Sequence, residues 1–190
     1  MVLRAAIAGG LALLAAAALA AAAPIAGLRP AEPAPPAAEL APGLAVQYTY
    51  AIMNDVAELK GRRFEPGPPL PHLEWKMGSG IVLTSKAREG VGAQISGLLL
   101  FEKPGTYGFE VTSNDGVRVE IGGKLVHEDP GVHPDTTSDR IDVKVDRPGW
   151  YPIQIAYFQK RNTATLIVRW SAPGESKMAP IPARALAHRK

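Results

Sequence analysis

The residue types best suited to metal chemistry lie in the polar segment between residues 127 and 139. His127, His133 and Asp135 offer two imidazoles and one carboxylate, the ligand types of a two-histidine, one-carboxylate metal site. Their spacing matches neither a helix nor a strand, so no regular element would bring the three side chains to one point. We expect an exposed polar loop here, with a metal site as the alternative.

No segment carries the residue pattern of an enzyme active site. Ser113 lacks the Gly-x-Ser-x-Gly turn of a serine nucleophile, and the sequence contains no Gly-rich phosphate-binding fingerprint. Glu102, Glu110 and Glu120 occupy outward positions of predicted strands, where carboxylates usually face solvent. The sequence therefore predicts a non-catalytic protein.

Composition excludes several further classes of function. The 190 residues include no cysteine, which excludes disulfides, thiolate metal ligands, thiol nucleophiles and a lipid-modified N-terminal cysteine. The net charge is only +3, and the two signs alternate along the chain instead of forming a basic stripe. We expect a mixed-charge surface and no nucleic-acid partner.

The first 28 residues are typical of an export segment. A basic start at residues 1–4 precedes an uncharged, alanine-rich stretch at 5–28, and small residues at 20–23 offer cleavage sites. We expect cleavage one to three residues before the bond between Ala23 and Pro24. An uncleaved membrane anchor is the main alternative, because spanning takes about 20 residues, and a buried helix of the fold is the third. The first two interpretations place the protein in the periplasm, the cell envelope or the medium, with membrane contact only through residues 5–28.

The rest of the chain divides into a linker and one domain. Residues 29–43 are rich in proline and alanine, and they predict an extended, semi-rigid spacer because proline fixes φ and donates no backbone hydrogen bond. Residues 44–190 are enough for one domain with its own core.

Apolar and polar residues alternate along most of this domain. The alternation is clear at residues 117–121, 141–145 and 151–157, where it places the apolar side chains on one face of a strand. Gly122-Gly123 is a dipeptide that suits a two-residue hairpin turn. Short strands with such turns predict an all-β, antiparallel sandwich or barrel-like fold, preceded by an N-terminal apolar helix segment and the linker rich in proline and alanine.

Some segments alternate less clearly. Residues 51–60 fit either a helical turn or irregular structure. Residues 64–73 contain four prolines and predict a loop. Residues 81–84 and 95–101 predict strands, and the second is apolar enough to be central in a sheet.

Three ordered motifs resemble those of the PA14 (protective-antigen-type) family. Residues 97–126 contain Gly-Thr-Tyr-Gly-Phe, then Ser-Asn-Asp-Gly, then Gly-Gly-Lys-Leu-Val, similar to the family's strand, loop and hairpin. Pro-Gly-Trp-Tyr-Pro-Ile-Gln-Ile-Ala-Tyr-Phe at 148–158 and Thr-Leu-Ile-Val-Arg-Trp at 165–170 resemble its later strands. The resemblance covers residues 43–181. It implies a β-sandwich module of secreted and cell-surface proteins, among them glycosidases, adhesins and toxins, in which it is usually an accessory domain.

The resemblance also implies a ligand site. In sugar-binding members, two consecutive aspartates joined by a cis peptide hold a calcium ion that coordinates sugar hydroxyls. Asn114 and Asp115 stand at those positions here, and Gln159 lies where some members place an asparagine. Because calcium binds more tightly with more negative ligands, the resemblance implies a weakened calcium site at Asn114, Asp115 and Gln159. Calcium is the only cofactor that we expect.

A structural interpretation competes with this one. The run Asn114-Asp115-Gly116 has the composition of a tight turn in which Asp115 accepts hydrogen bonds from nearby backbone N–H groups. A second loop beside it, at residues 160–162, is either a solvated basic loop or a site for an anionic sugar, since arginine binds carboxylates bidentately. The predicted ligand-binding residues are Asn114, Asp115, Gly116, Lys160, Arg161 and Asn162.

These observations together predict an exported, non-catalytic binding module. A glycan or envelope polysaccharide is the leading ligand class. The alternative is a structural or protein-interaction domain of the cell envelope that binds neither calcium nor sugar.

Overall fold

Two antiparallel β-sheets pack face to face in the computed structural model, which describes residues 22–190. The strands are β1 (Leu40–Pro42), β2 (Leu44–Tyr50), β3 (Glu65–Leu70), β4 (Glu74–Gly78), β5 (Val91–Phe101), β6 (Gly105–Asn114), β7 (Val117–Ile121), β8 (Lys124–Asp129), β9 (Thr136–Thr137), β10 (Ile141–Val145), β11 (Gly149–Gln159), β12 (Ala164–Ser171), β13 (Ala179–Pro180) and β14 (Leu186–Arg189). The prediction of an all-β antiparallel fold is confirmed.

Helical structure is limited to three short 3-10 turns within residues 22–190: Ala37–Glu39, Val56–Leu59 and Ala183–Ala185. No helix in this part of the chain is long and apolar enough to cross a membrane. The predicted apolar helix falls mainly on residues 1–21, outside the described residues. Its last positions, 22–28, are not helical.

The larger sheet has the strand order β1-β14-β5-β11-β7-β8, and β2 and β3 extend it from the free part of β5. Strands β5 and β11 form its centre and pair along their whole length. The turn between β7 and β8 is made by Gly122 and Gly123, whose φ angles of 57° and 74° suit only glycine well. The predicted two-residue hairpin is thus confirmed. The smaller sheet has the order β10-β6-β12-β13, with β4 on β12 and β9 on β6.

The core fills the space between the two sheets. In β7 the burial alternates residue by residue, with Val117, Val119 and Ile121 fully buried, as the period of two predicts. At one end of the core, the Phe101 ring packs against the rings of Tyr107 and Tyr151 with centroids 4.7 and 5.2 Å apart. Aromatic packing of this kind adds specific geometry to the area that it buries.

Part of the predicted linker packs on the domain. We call residues 25–32 the N-terminal strap. Ile25 forms a parallel bridge with β10 of the smaller sheet, and the Arg29 N–H donates to the Gly122 carbonyl of the larger sheet at 2.9 Å. Between these contacts, Leu28 is buried in the core. The strap therefore joins the two sheets.

Two local predictions are wrong. Residues 64–73 contain a strand, β3, at the edge of the larger sheet, where proline is tolerated. Pro68 and Pro69 lie where the register with β2 shifts. Residues 81–84 form turns and not a strand. Val82 and Leu83 are buried there, so their apolar character reflects burial and not strand pairing. Residues 51–60, which we left open, contain a 3-10 turn.

Candidate functional site

Three loops meet at one end of the sandwich and enclose a cleft of about 460 Å³. The first loop follows β6, the second follows β8 and the third joins β11 to β12. The cleft is lined by Asn114, Asp115, Val132, His133, Pro134, Lys160, Arg161, Asn162 and Thr163. The structure thus brings together five of the six predicted ligand-binding residues, which come from two distant parts of the sequence.

Asp115 connects the three loops. Its side chain is buried, and its Oδ2 accepts a hydrogen bond from the Lys160 backbone N–H at 2.6 Å. Its Oδ1 accepts from the His133 backbone N–H at 3.3 Å. Hydrogen bonds from backbone N–H groups to a carboxylate are charge-assisted and stronger than neutral ones. The Asp115 carboxylate therefore fixes both neighbouring loops relative to the turn.

Asn114 lies beside it, and the peptide bond between Asn114 and Asp115 is cis. The Asn114 amide Nδ2 donates to Thr163 Oγ1 at 2.9 Å and to Asp135 Oδ1 at 3.1 Å. Its backbone carbonyl accepts a hydrogen bond from the Tyr157 hydroxyl at 2.6 Å. Burial raises the pKa of Tyr157 well above its ordinary value, so this hydroxyl keeps its proton and remains a donor.

Gly116 does not line the cleft. A Cβ at this position would stand 2.4 Å from the Pro130 carbonyl oxygen and 2.5 Å from Phe158 Cε1. The glycine is therefore required for space between two neighbouring segments, and its φ is not among the positive values of this chain. It supports the turn by close packing.

The loop at residues 160–163 supplies the exposed side of the cleft. The Lys160 ammonium donates to Asn54 Oδ1 at 2.7 Å, which directs it to a neighbouring loop. Asn162 has a left-handed backbone with φ of 67°, and its N–H donates to Glu89 Oε1 at 2.9 Å. Arg161 is exposed. Its guanidinium is thus the cation of this loop best placed for a ligand.

Gln159 is the other predicted ligand residue. It is fully buried, and neither polar atom of its amide has a hydrogen-bond partner among the described residues. It shares a strand face with Tyr157, whose hydroxyl reaches Asn114 across the core. Gln159 does not line the cleft, and its buried amide without partners costs about 1–3 kcal/mol.

These residues offer a limited donor set for calcium. The Asp115 carboxylate and the amide oxygens of Asn114 and Gln159 are of the type that calcium takes, but only Asp115 is charged. Both Asp115 oxygens also accept backbone hydrogen bonds. The set therefore fits a weak calcium site at most.

The alternative metal site does not form. Within residues 22–190, no group of three His, Cys, Asp or Glu side chains is placed to hold a metal ion. His133 Nε2 approaches Asp129 at 3.3 Å, while Asp135 Oδ1 lies 3.1 Å from the amide of Asn114. His133 and Asp135 thus contact different partners near the cleft and do not converge on one point.

Two partners of the site were missing from the predicted set. Thr163 and Asp135 both accept from the Asn114 amide. The sequence pattern associates Asp135 only with His127 and His133. The sequence contains no signal for either contact, because each joins residues that are 21 or more positions apart through loop geometry.

The family model described as the PA14 domain matches residues 81–183. The chain belongs to the PA14 domain family. Comparison with curated protein sequences gives no match.

Solved structures, two of them PA14 domains, share this fold. The PA14 domain of the MpAFP antifreeze protein aligns with a TM-score of 0.67 at 17% identity, over 78% of this chain and 92% of that one. The PA14 sugar-binding domain from an RTX adhesin aligns with a TM-score of 0.60 at 17% identity, over 77% and 98%. The Candida glabrata epithelial adhesin 9 A domain, in complex with Galb1-4GlcNAc, aligns with a TM-score of 0.67 at 13% identity, over 86% and 96%. At these identities the similarity shows the fold alone.

Proposed function

We propose that this PA14 domain is an exported, non-catalytic carbohydrate-binding module whose ligand lies in the cleft beside Asn114 and Asp115. The observation that carries the proposal is the cleft itself, which opens on Asn114 and Asp115 and is lined by a second polar loop. Two domains of the same fold support the ligand class, one named as sugar-binding and one in complex with Galb1-4GlcNAc.

The exposed residues of the cleft offer what a sugar needs. Arg161 and Asn162 provide hydrogen-bond donors, and Asn162 also provides a carbonyl acceptor for hydroxyl groups. Val132 and Pro134 provide apolar surface for the C–H face of a sugar ring. The cationic Arg161 favours sugars that carry a carboxylate.

Calcium is the weakly bound cation that supports sugar binding at this site. Asp115, Asn114 and Gln159 would hold it, and it would supply charge that attracts sugar hydroxyls. The two amides contribute oxygen without negative charge, so we expect millimolar affinity, at the weak end of protein calcium sites.

Export follows from the sequence of residues 1–28, which has the order of a basic start, an apolar stretch and small residues. The adhesin domains that share the fold are consistent with this location. The absence of a catalytic motif in the sequence supports a binding role without turnover.

Binding to the cleft is tested with Galb1-4GlcNAc and with a galacturonic acid trisaccharide, each with excess calcium and with EDTA. Replacing the exposed Arg161 in the variant Arg161→Ala should weaken binding about ten-fold, because one charged hydrogen bond is lost. The variant Arg63→Ala, which removes an exposed arginine outside the cleft, serves as the matched control. Equal affinity of the two variants and the parent would place the ligand elsewhere.

A structural domain without ligand is the second candidate. It is favoured by one observation, the use of both Asp115 oxygens to hold the Lys160 and His133 backbones. In that case the variant Asp115→Asn destabilises the domain equally with and without calcium. If the weak calcium site is real, calcium at ten times its dissociation constant stabilises the parent by about 1.4 kcal/mol and leaves the variant unchanged.

A further inference from the structure

The outer face of the larger sheet carries an unusual set of uncharged polar side chains. Gln47 on β2, Gln94 on β5 and Gln154 on β11 are all exposed there, together with Ser96. These are three of the four glutamines in the chain. Their amides make no hydrogen bond to any other part of residues 22–190, so their donors and acceptors are free. We call these four residues the amide face.

Strand register places the four side chains in two neighbouring rows. Gln47 lies directly opposite Gln94, and Ser96 lies directly opposite Gln154. Adjacent strands are about 4.8 Å apart and every second residue along a strand advances about 6.7 Å. The amide face is therefore a compact patch about 10 Å across the strands and about 7 Å along them.

The outer face of the smaller sheet has a different character. It carries Glu110 and Lys144, and Arg169 forms a two-bond ion pair with Glu74 at 2.8 and 2.9 Å. Mixed charge is the ordinary composition of a solvated strand face. The two rows of the amide face carry no charged residue on β2, β5 and β11. On the neighbouring strand β7 they end in Glu120, opposite Gln154, and Arg118, opposite Ala156, which pair with each other at 2.7 Å.

Raised segments border the amide face on two sides. On one side, the segment between β2 and β3 covers the sheet at Gly92. A Cβ on Gly92 would lie 2.4 Å from Leu59 Cδ2 and 2.8 Å from Met53 Cε of that segment. On the other side, the N-terminal strap stands over the sheet and encloses a groove of about 1060 Å³ whose floor includes Ser96. The amide face is thus the floor of a trough that continues beneath Arg29 and Pro30.

We propose that this trough is a second binding surface, separate from the cleft, that holds a linear neutral polysaccharide. Each glutamine offers one acceptor and two donor hydrogens without charge, which matches hydroxyl groups that both donate and accept. Successive sugar units repeat the same hydroxyl pattern, as the glutamines repeat across strands. Pro30 and Pro152 in the adjoining groove supply apolar surface for ring faces.

Other occupants match the surface less well. An extended peptide usually binds the edge of a sheet through backbone hydrogen bonds, whereas this surface is the face of central strands. Three of the four arginines that border the trough are already paired with carboxylates, so an anionic polymer would gain little there: Arg118 pairs with Glu120 and Glu128, Arg147 with Glu32, and Arg189 with Glu39. A second copy of the chain would require apolar area at its centre, where three amides lie instead.

Side-chain amide signals in an NMR spectrum test the proposal directly. The chain has four glutamines and three asparagines, so the seven amide groups report on both surfaces at once. The probes are cellohexaose, laminarihexaose, mannohexaose and maltohexaose, with hexagalacturonic acid as the charged comparison. At least one neutral hexasaccharide should shift the signals of Gln47, Gln94 and Gln154 and leave that of Asn114 unchanged.

Variants make the test quantitative. The double variant Gln94→Ala with Gln154→Ala should bind the active hexasaccharide about 25-fold more weakly, at about five-fold for each lost hydrogen bond. The variant Glu110→Ala removes a side chain of equal length from the other sheet and should change nothing. Gln94 and Gln154 are exposed and Glu110 is half-buried on the outer face of its strand, so the fold is retained.

Three results would overturn the proposal. The first is no shift of the glutamine signals with any neutral hexasaccharide at millimolar concentration, and the second is shifts confined to Asn114 and Asn162. The third is a shift of the glutamine signals with protein concentration in the absence of sugar, which would indicate self-association. Failure of the cleft proposal is recognised separately, because it concerns Arg161 and the asparagine signals.

Discussion

The variant Asn114→Asp restores the pair of aspartates that the PA14 resemblance implies and tests the site most sharply. In the present structure, the Asn114 amide donates to Thr163 and to Asp135, at 2.9 and 3.1 Å. An aspartate cannot donate these hydrogen bonds and instead places a second carboxylate beside Asp135. Without calcium, the variant should therefore be less stable than the parent.

The magnitude follows from two contributions. Loss of the hydrogen bond to Asp135 costs about 1 kcal/mol, whereas the Thr163 hydroxyl can rotate and donate to the new carboxylate. Repulsion between the carboxylates adds about 1 kcal/mol, well below the value for a buried pair, because Asp135 is exposed and screened by solvent. We expect the free energy of unfolding to fall by about 2 kcal/mol in EDTA, equivalent to about 6 °C in melting temperature.

Calcium should reverse this loss, because the variant has one more charged ligand for the ion. Urea unfolding in EDTA and in millimolar calcium measures both effects. The variant Asn162→Asp is the control, since it makes the same chemical change in the same cleft. Asn162 is exposed and has no amide contact to Asp135. Equal stability of Asn114→Asp and the parent in EDTA, or a loss that calcium does not reverse, would refute the assignment of Asn114 to a cation site.

Three further variants test the fold around the site. Gly116→Ala should lower the free energy of unfolding by about 1–3 kcal/mol in urea, because the new Cβ lies 2.4 Å from the Pro130 carbonyl oxygen; an unchanged midpoint would show that the turn can move. Leu28→Ala should cost about 2–3 kcal/mol if the strap is part of the domain, and no loss would mean that it is a free linker. Burial lowers the pKa of His127 below 6.5, so the unfolded chain takes up a proton that the folded one resists. Stability should fall as the pH drops below about 6.5, and His127→Gln should flatten that part of the profile measured by thermal unfolding.

Local patterns in the sequence were enough to predict the sheets. The alternation at Val117–Ile121 and the glycine pair after it correspond directly to a strand and its hairpin. The same rules failed where a buried apolar segment does not pair as a strand, and where a segment rich in proline does. Val82 and Leu83 are apolar because they are buried in turns, while β3 pairs despite its prolines because it lies at an edge.

The candidate site was predictable only where a motif exists. Asn114 and Asp115 lie in a recognisable turn, and the position of the 160–162 loop follows from the resemblance. The contacts of Asn114 with Asp135 depend on how separate loops meet, which no local pattern records. The amide face likewise requires strand register, since its glutamines come from three strands that are distant in sequence.

The pairing of β1 with β14 brings the two ends of the domain together. The Lys190 N–H donates to the Glu39 carbonyl at 3.0 Å, so a chain that enters at Glu39 and leaves at Lys190 does so at one point. Such a unit can be spliced into a surface loop of another protein without forcing the host's flanking residues apart, and it can be circularly permuted with a short joining peptide. The same geometry suits residues 39–190 to insertion into a display scaffold, in which the core contact of Leu28 in the strap would have to be replaced.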